Sequence, residues 1–330
     1  MQLVITKINL FEDLQFYFRG SKVMVISQQR KFDLENMIKI YLEGYQDGYF
    51  GVNDDFIEYA SFYHLTNEPV NKIFSEIGLN EVQKALSVLA SGDQVFHMIS
   101  GGVQNIDTFD INRLTEYYAL GFKKRAIECL NYYEFMKLFE YYKDWDLERH
   151  FGENKDIEKY VIENMEEEYK CFWNEFLYAV KEKGFEASIF HLSCEADLID
   201  RQNTKNNLYM KDESEYIKLQ RRLKEVNISY KYCSIMDVPT TFAKYDLIYL
   251  SNIMDYYRSF YGNNNRPMDD ARNLIKAIYT QNLNPNGEII LTEMQRKFSP
   301  NEFLKEMINH PIINNCLFTA YGIKKKRKLK

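Results

Sequence analysis

The sequence predicts an α/β fold: a doubly wound, mainly parallel sheet covered by helices on both faces, with an N-terminal helical cap and a helical insertion. Three observations predict it. Short apolar runs of strand length alternate with segments of helical period along most of the chain. Residues 87–112, SVLASGDQVFHMISGGVQNIDTFDIN, read as strand, small-residue turn, short helix, second strand and terminal carboxylate. The composition also supplies the core, since 45% of the 330 residues are hydrophobic. A chain of that length can bury roughly 75% of its unfolded surface.

Residues 1–30 alternate like a small hairpin or meander, with strand-like runs over 3–11, 16–18 and 22–26. From Asp33 the pattern turns helical, with Leu34, Met37, Ile38 and Tyr41 on one face. Further helices are expected over 55–63 and 68–77. Residues 1–80 therefore form a hairpin and helical cap, and 81–330 form the sheet domain.

The apolar run over 85–90 is the first core strand. It stops at Ser91-Gly92-Asp93-Gln94, and a helix follows to Ser100. The run 106–109 is the second strand, closed by Asp110. Asn112 is placed as a helix N-cap ahead of Leu114, Tyr117, Tyr118, Phe122 and Ala126. Asn131 with Glu134 three residues on makes a capping box. The span 132–185 then reads as helical and aromatic, and at about 131–190 it forms the insertion or a lid. The alternation resumes with a helix over 213–226 and strands over 228–235 and 245–250. A helix over 268–281, a turn over 284–287 and a strand over 288–292 follow. Another helix is expected from Ser299, and a closing strand over 316–324.

Net charge is −6, but six basic residues lie in 324–330, so the remainder carries 36 basic against 48 acidic groups, or −12. That balance argues against a broad nucleic-acid-binding face. The basic tail suits peripheral contact with an anionic membrane, or plain solvation as a frayed end. Five scattered cysteines without a CxxC pair fit reduced thiols. No charged start leads into an apolar core, and no apolar run approaches ~18 residues. A cytoplasmic protein is expected. His191 and Cys194 form an HxxC pair with no further ligands nearby, so no metal is expected.

In an open α/β sheet the ligand lies outside the carboxyl ends of the strands. The residues at those ends are Ser91, Gly92, Asp93 and Gln94, then Asp110, then Asp237, then Ser251, Asn252 and Asp255. Three of the four strands end at or near an acid, and none in Lys or Arg. A P-loop is absent, and the turn has one glycine where GxGxxG has three, which disfavours phosphate-rich ligands. A nucleoside carrying positive charge suits such a rim, and S-adenosylmethionine is one. Bland roles stand beside these: Asp93 as an N-cap, Asp237 as a turn residue, Tyr256 as helix packing, His97 as a satisfied core histidine, and the aromatics of 135–178 as core.

The segment VLASGDQVFHMISGGVQNIDTFDINRLTEYYALGFKKRAIECLNYYEFMKLF resembles the betaine-lipid-type 3-amino-3-carboxypropyl transferases and their bacterial relatives, within the class I S-adenosylmethionine-dependent transferase superfamily. The resemblance covers about residues 80–140 and continues in order over 228–295. It implies a Rossmann-like fold and S-adenosylmethionine as cofactor. By it, Ser91, Gly92 and Asp93 meet the cofactor's amino-acid portion, and Gln94 beside them is a further cofactor-binding residue. Asp110 holds the ribose and Asp237 the adenine amino group, with Ile111 and Asn112 counted among the cofactor-binding residues. Ser251 and Asn252 line the reaction centre; apart from the resemblance, Asp255, Tyr256 and His97 are the nearest candidate bases for a hydroxyl acceptor. The chain departs from the commoner GxGxG turn, because Gly101 and Gly102 come too late to serve. The implied activity moves the aminocarboxypropyl group to a lipid-like or small-molecule acceptor. The alternatives are methyl transfer and a non-catalytic nucleoside-binding module.

Overall fold

The computed structural model describes residues 28–46, 64–139, 147–184, 188–189, 206–253, 267–294, 310–314 and 318–325. The expected hairpin, the helices at 55–63 and 299, the His191/Cys194 pair, Asp255, Tyr256 and the tail beyond 325 lie outside them.

Seven strands form one sheet: β1 (Lys84–Val88), β2 (Asn105–Asp110), β3 (Asn227–Tyr232), β4 (Tyr245–Tyr249), β5 (Leu283–Met294), β6 (His310–Asn314) and β7 (Phe318–Lys324). Their order is β3-β2-β1-β4-β5-β7-β6. The first five pair in parallel, while β7 runs against both β5 and β6. This is a Rossmann-like, doubly wound sheet. Its order reverses between β1 and β4, which opens a crevice at their carboxyl ends.

Strand alternation loads both faces. Ala85, Leu247 and Ile290 join one hydrophobic cluster, and their neighbours Leu86, Ile248 and Ile289 join the other. The second face is covered by Leu274, Ile275 and Ile278 of the helix Pro267–Gln281. The first is covered by α1 (Gln28–Gln46), α2 (Val70–Ile77), α3 (Asp93–Gly101) and the run α4 (Glu116–Lys123) and α5 (Lys124–Cys129). Three further helices complete that face: α6 (Tyr132–Phe139), α7 (Leu147–Glu163) and α8 (Glu167–Glu182).

The aromatic helices are core. Phe172, Trp173 and Phe176 of α8 are buried in the same cluster as the sheet face. Tyr117 stacks on Phe172 with ring centroids 3.7 Å apart. Arg30 of α1 lies over the rings of Tyr117 and Tyr169 and pairs with Glu116 at 3.3 Å. α4 is wound as a π-helix, whose wider turn frees backbone carbonyls. Trp173 Nε1 donates to one of them, Tyr117 O, at 3.2 Å. The capping box forms as its spacing predicts: Asn131 N donates to Glu134 Oε2 and Glu134 N to Asn131 Oδ1, each at 3.0 Å.

Two elements differ from the sequence pattern. β6 was not expected, since Pro311 interrupts its run. The strand lies at the sheet edge and its register shifts beside that proline, where a missing N–H is tolerated. The turn expected over 284–287 lies within β5 as a bulge. Pairing jumps from Tyr245↔Leu283 to Leu247↔Glu288, and Asn286 takes the left-handed conformation at φ 70°.

α7 holds a buried acid. Glu158 accepts from Ser188 Oγ at 2.7 Å and Ile189 N at 3.1 Å, and burial pushes its carboxyl from 4.5 up to about 7. A raised carboxyl binds its proton more tightly in the folded state. Its contribution to stability is full below 4.5 and is lost as pH rises through about 7. Glu158→Gln is therefore expected to match the wild type near pH 5 and to exceed it by about 1–3 kcal/mol at pH 8. Chemical denaturation at the two pH values checks this.

Among the described residues no helix is long and apolar enough to cross a membrane, and no cluster of His, Cys, Asp and Glu could hold a metal. Cys129, Cys171 and Cys233 are free thiols.

Candidate functional site

The site is built from the β1 exit outward. After Val88 the chain turns tightly, with Gly92 N donating to Leu89 O at 2.7 Å. Ala90 and Gly92 both take left-handed conformations, at φ 43° and 82°. At Ala90 this is unfavourable for an L residue by roughly 1–2 kcal/mol. Gly92 has a second constraint: a Cβ there would stand 3.0 Å from both Ala119 Cβ and the Phe96 ring. The turn is thus pressed against the π-helix and leads into the N-terminus of α3, whose first N–H groups lack intrahelical partners.

Asp93 is fully buried and four donors fill its carboxylate. Lys123 Nζ at 2.6 Å and the Tyr209 hydroxyl reach Oδ1; Thr66 N at 2.6 Å and Ser91 Oγ at 2.9 Å reach Oδ2. Lys123 is equally buried, and its ammonium also donates to His64 O at 2.6 Å and Ser91 O at 3.1 Å. Desolvation lowers the Lys123 pKa against the opposing pull of Asp93. The pair ties the β1 turn to the π-helix and to the segment 64–69. With four donors in place, Asp93 acts as the frame of the turn.

Asp110 ends β2 and is 7% exposed. Its Oδ2 accepts from Ala90 N and its Oδ1 from Asn112 N, both at 2.9 Å. Burial raises its carboxyl to about 6, opposed by those backbone N–H groups. The strained Ala90 is thereby held to the second strand, so the turn and the acid form one ledge. Ile111 continues the ledge, and Asn112 Oδ1 accepts from Leu114 N at 3.0 Å, as its N-cap spacing predicts. On the far side, Asp237 is exposed in a short 3₁₀ turn beyond β3. Cys233 N donates to Asp110 O at 3.1 Å, which joins the β3 exit to the same rim.

The β4 exit holds Ser251, left-handed at φ 55°, and the half-buried Asn252. Ser251 Oγ lies 2.8 Å from Glu68 Oε1 and 3.2 Å from Asn252 Oδ1. Glu68 also accepts from Gln94 Nε2 at 3.1 Å, from the Tyr249 hydroxyl at 3.0 Å and from Thr292 Oγ1. Gln94 thus bridges the β1 turn and the β4 exit. Its Oε1 is buried with no hydrogen-bond partner. His97 is a core residue: its Nε2 accepts from Leu208 N at 3.0 Å, and burial lowers its pKa to about 4.

Ser91, Gly92, Asp93, Gln94, Asp110, Ile111, Asn112, Ser251 and Asn252 therefore gather on the β1, β2 and β4 exits, with Asp237 beyond the β3 exit. Glu68 and Lys123 are not strand-end residues and were not anticipated. Glu68 reads as the first residue of a helix over 68–77, whereas α2 begins at Val70. The following Pro69 was the available signal, since a residue before proline is pushed out of helical geometry. For Lys123 the signal was weaker, a lysine on an otherwise apolar helical face.

No protein-family profile and no curated protein sequence matches the chain. Among solved structures, the rRNA methyltransferase AviRa from Streptomyces viridochromogenes aligns over 81% of this chain and 89% of its own, with 9% identity and a TM-score of 0.39. The N-methyltransferase NodS from Bradyrhizobium japonicum aligns over 79% of this chain and 99% of its own, with 9% identity and a TM-score of 0.36. A TehB-like SAM-dependent methyltransferase from Corynebacterium glutamicum aligns over 90% of this chain and 100% of its own, with 8% identity and a TM-score of 0.35. At these values the likeness carries no residue role across.

Proposed function

We propose that the chain is an S-adenosylmethionine-dependent transferase. The observation that carries this reading is the ledge made by Asp110 and the Ala90–Gly92 turn, at the carboxyl end of a doubly wound sheet. Each Asp110 oxygen accepts one backbone N–H at 2.9 Å, and a carboxylate offers about four acceptor positions. The Thr115 side chain and the Ile111 N–H also approach this carboxylate, so the acid stands in a ring of neutral donors into which the vicinal hydroxyls of a ribose fit by exchange. The orphaned Gln94 Oε1 likewise fits an N–H or O–H donor on the ligand. The residues present thus fit the cofactor, and the resemblance would give Asp237 to the adenine amino group and Ser251 and Asn252 to the reaction centre.

When bound, this cofactor supplies an alkyl carbon already activated by its sulfonium. The chain's own part is then to orient it against an acceptor. Asp110 fixes the nucleoside, the Gly92 turn lets the ligand approach the backbone, and Asp255 or Tyr256 would take a proton from a hydroxyl acceptor. The resemblance over 80–140 supports transfer of the 3-amino-3-carboxypropyl group to a lipid-like or small-molecule acceptor, with the basic tail against an anionic membrane.

The nucleoside product tests this. With S-adenosylmethionine and glycerolipid vesicles, release of methylthioadenosine is the expected result. Release of S-adenosylhomocysteine instead would assign methyl transfer. Saturable cofactor binding without either product would make the chain a nucleoside-binding module.

A further inference from the structure

We propose that Glu68 is the counter-charge for the sulfonium of the bound cofactor, an inference that rests on the transferase reading above. Glu68 is 1% exposed, and every group that contacts its carboxylate is neutral. Ser251 Oγ and Thr292 Oγ1 reach Oε1, and Gln94 Nε2 and the Tyr249 hydroxyl reach Oε2. Among the described residues no Lys, Arg or His stands within ion-pair distance of it. Buried carboxylates ordinarily have a cation. Asp93, next in sequence to the Gln94 that contacts Glu68, has one in Lys123.

Position adds to charge. The four donors come from the β1 turn, the end of β4 and the end of β5, so the anion stands at the reversal of strand order where a ligand enters. Gln94 gives an independent sign of a ligand. Its Nε2 must face the carboxylate, which fixes the amide orientation and leaves the buried Oε1 without a donor beside Glu68. Ser251 also has a choice, since its one hydroxyl proton can go to Glu68 or to Asn252 Oδ1. The Glu68 shell can therefore rearrange around a cation without losing a bond at Ser251.

The chemistry of the ligand selects which cation. The amino-acid portion of S-adenosylmethionine is a zwitterion that brings its own anion, and adenine and ribose are neutral. The sulfonium is the unmatched charge of the ligand, and Glu68, buried among neutral groups at the reversal of strand order, is placed to match it. Transfer forms a bond from the acceptor's electron pair to the carbon and breaks the carbon–sulfur bond, whose own bonding pair stays on sulfur. The positive charge passes to the acceptor, which releases it as a proton. What stays behind is a neutral thioether, so Glu68 holds the fresh cofactor more tightly than the spent one and favours exchange after turnover.

Calorimetric titration with S-adenosylmethionine and S-adenosylhomocysteine, which differ at the sulfur by one methyl and one charge, tests this. The wild type is expected to prefer the sulfonium by about tenfold or more, and Glu68→Gln to remove most of that preference with thioether affinity kept within about twofold. Glu68→Asp, which keeps the charge, is expected to retain it. Thioether binding as tight as sulfonium binding in the wild type overturns the proposal without any variant. So does an unchanged ratio in a Glu68→Gln protein whose circular dichroism matches the wild type. If the wild type binds neither compound, the transferase reading itself fails.

Discussion

Lys123→Met is expected to destabilise the protein by about 3–5 kcal/mol, measured by guanidinium unfolding, because it strands a buried carboxylate. Asp93 and Lys123 are both fully buried, 2.6 Å apart, and neither has access to water that could take over the charge. The remaining donors to Asp93, from Thr66, Ser91 and Tyr209, are neutral. Replacing both members together, as Asp93→Asn with Lys123→Met, should recover much of the loss, since an uncharged pair leaves no unpaired ion. Additive losses in the double variant would mean that the two residues act separately. The result matters for function because this pair holds the β1 turn, the π-helix and the segment that carries Glu68 in one frame.

The second large effect is on binding. Asp110→Ala removes two charge-assisted hydrogen bonds of about 1.5–3 kcal/mol each, so S-adenosylmethionine affinity should fall by about a hundredfold or more. The wild-type affinity should also depend on pH. With its carboxyl raised to about 6, Asp110 is ionised and accepts both ribose hydroxyls above that pH, and below it the added proton removes an acceptor. Affinity is thus expected to weaken as pH falls through about 6. Asp110→Asn should bind less tightly than the wild type and show no such dependence over the same range. A wild-type affinity that is flat through that range would contradict the assignment of the ribose to Asp110.

The parts legible in the sequence were those set by local chemistry. The strand–turn–helix–strand unit around Gly92 and Asp110, the Asn131/Glu134 capping box and the Asn112 cap all depend on residues a few positions apart, and they formed as spacing predicts. His97 on an apolar face likewise became a satisfied core residue. What was not legible depends on distance along the chain. Glu68 meets Thr292 across 224 positions, and Lys123 meets Asp93 across 30. No periodicity reports such meetings. β6 was hidden for a different reason, because a proline argues against a strand except at an edge, and edge position is a property of the assembled sheet.

The central claim is that the rim formed by the β1 turn and Asp110 holds S-adenosylmethionine. Calorimetric titration of that compound into the wild type and into Asp110→Ala, each checked by circular dichroism, tests it most directly. Saturable one-to-one binding to the wild type and at least about a hundredfold weaker binding to the variant are expected. A wild type that takes up no cofactor, or a folded Asp110→Ala that binds it equally well, would contradict the claim.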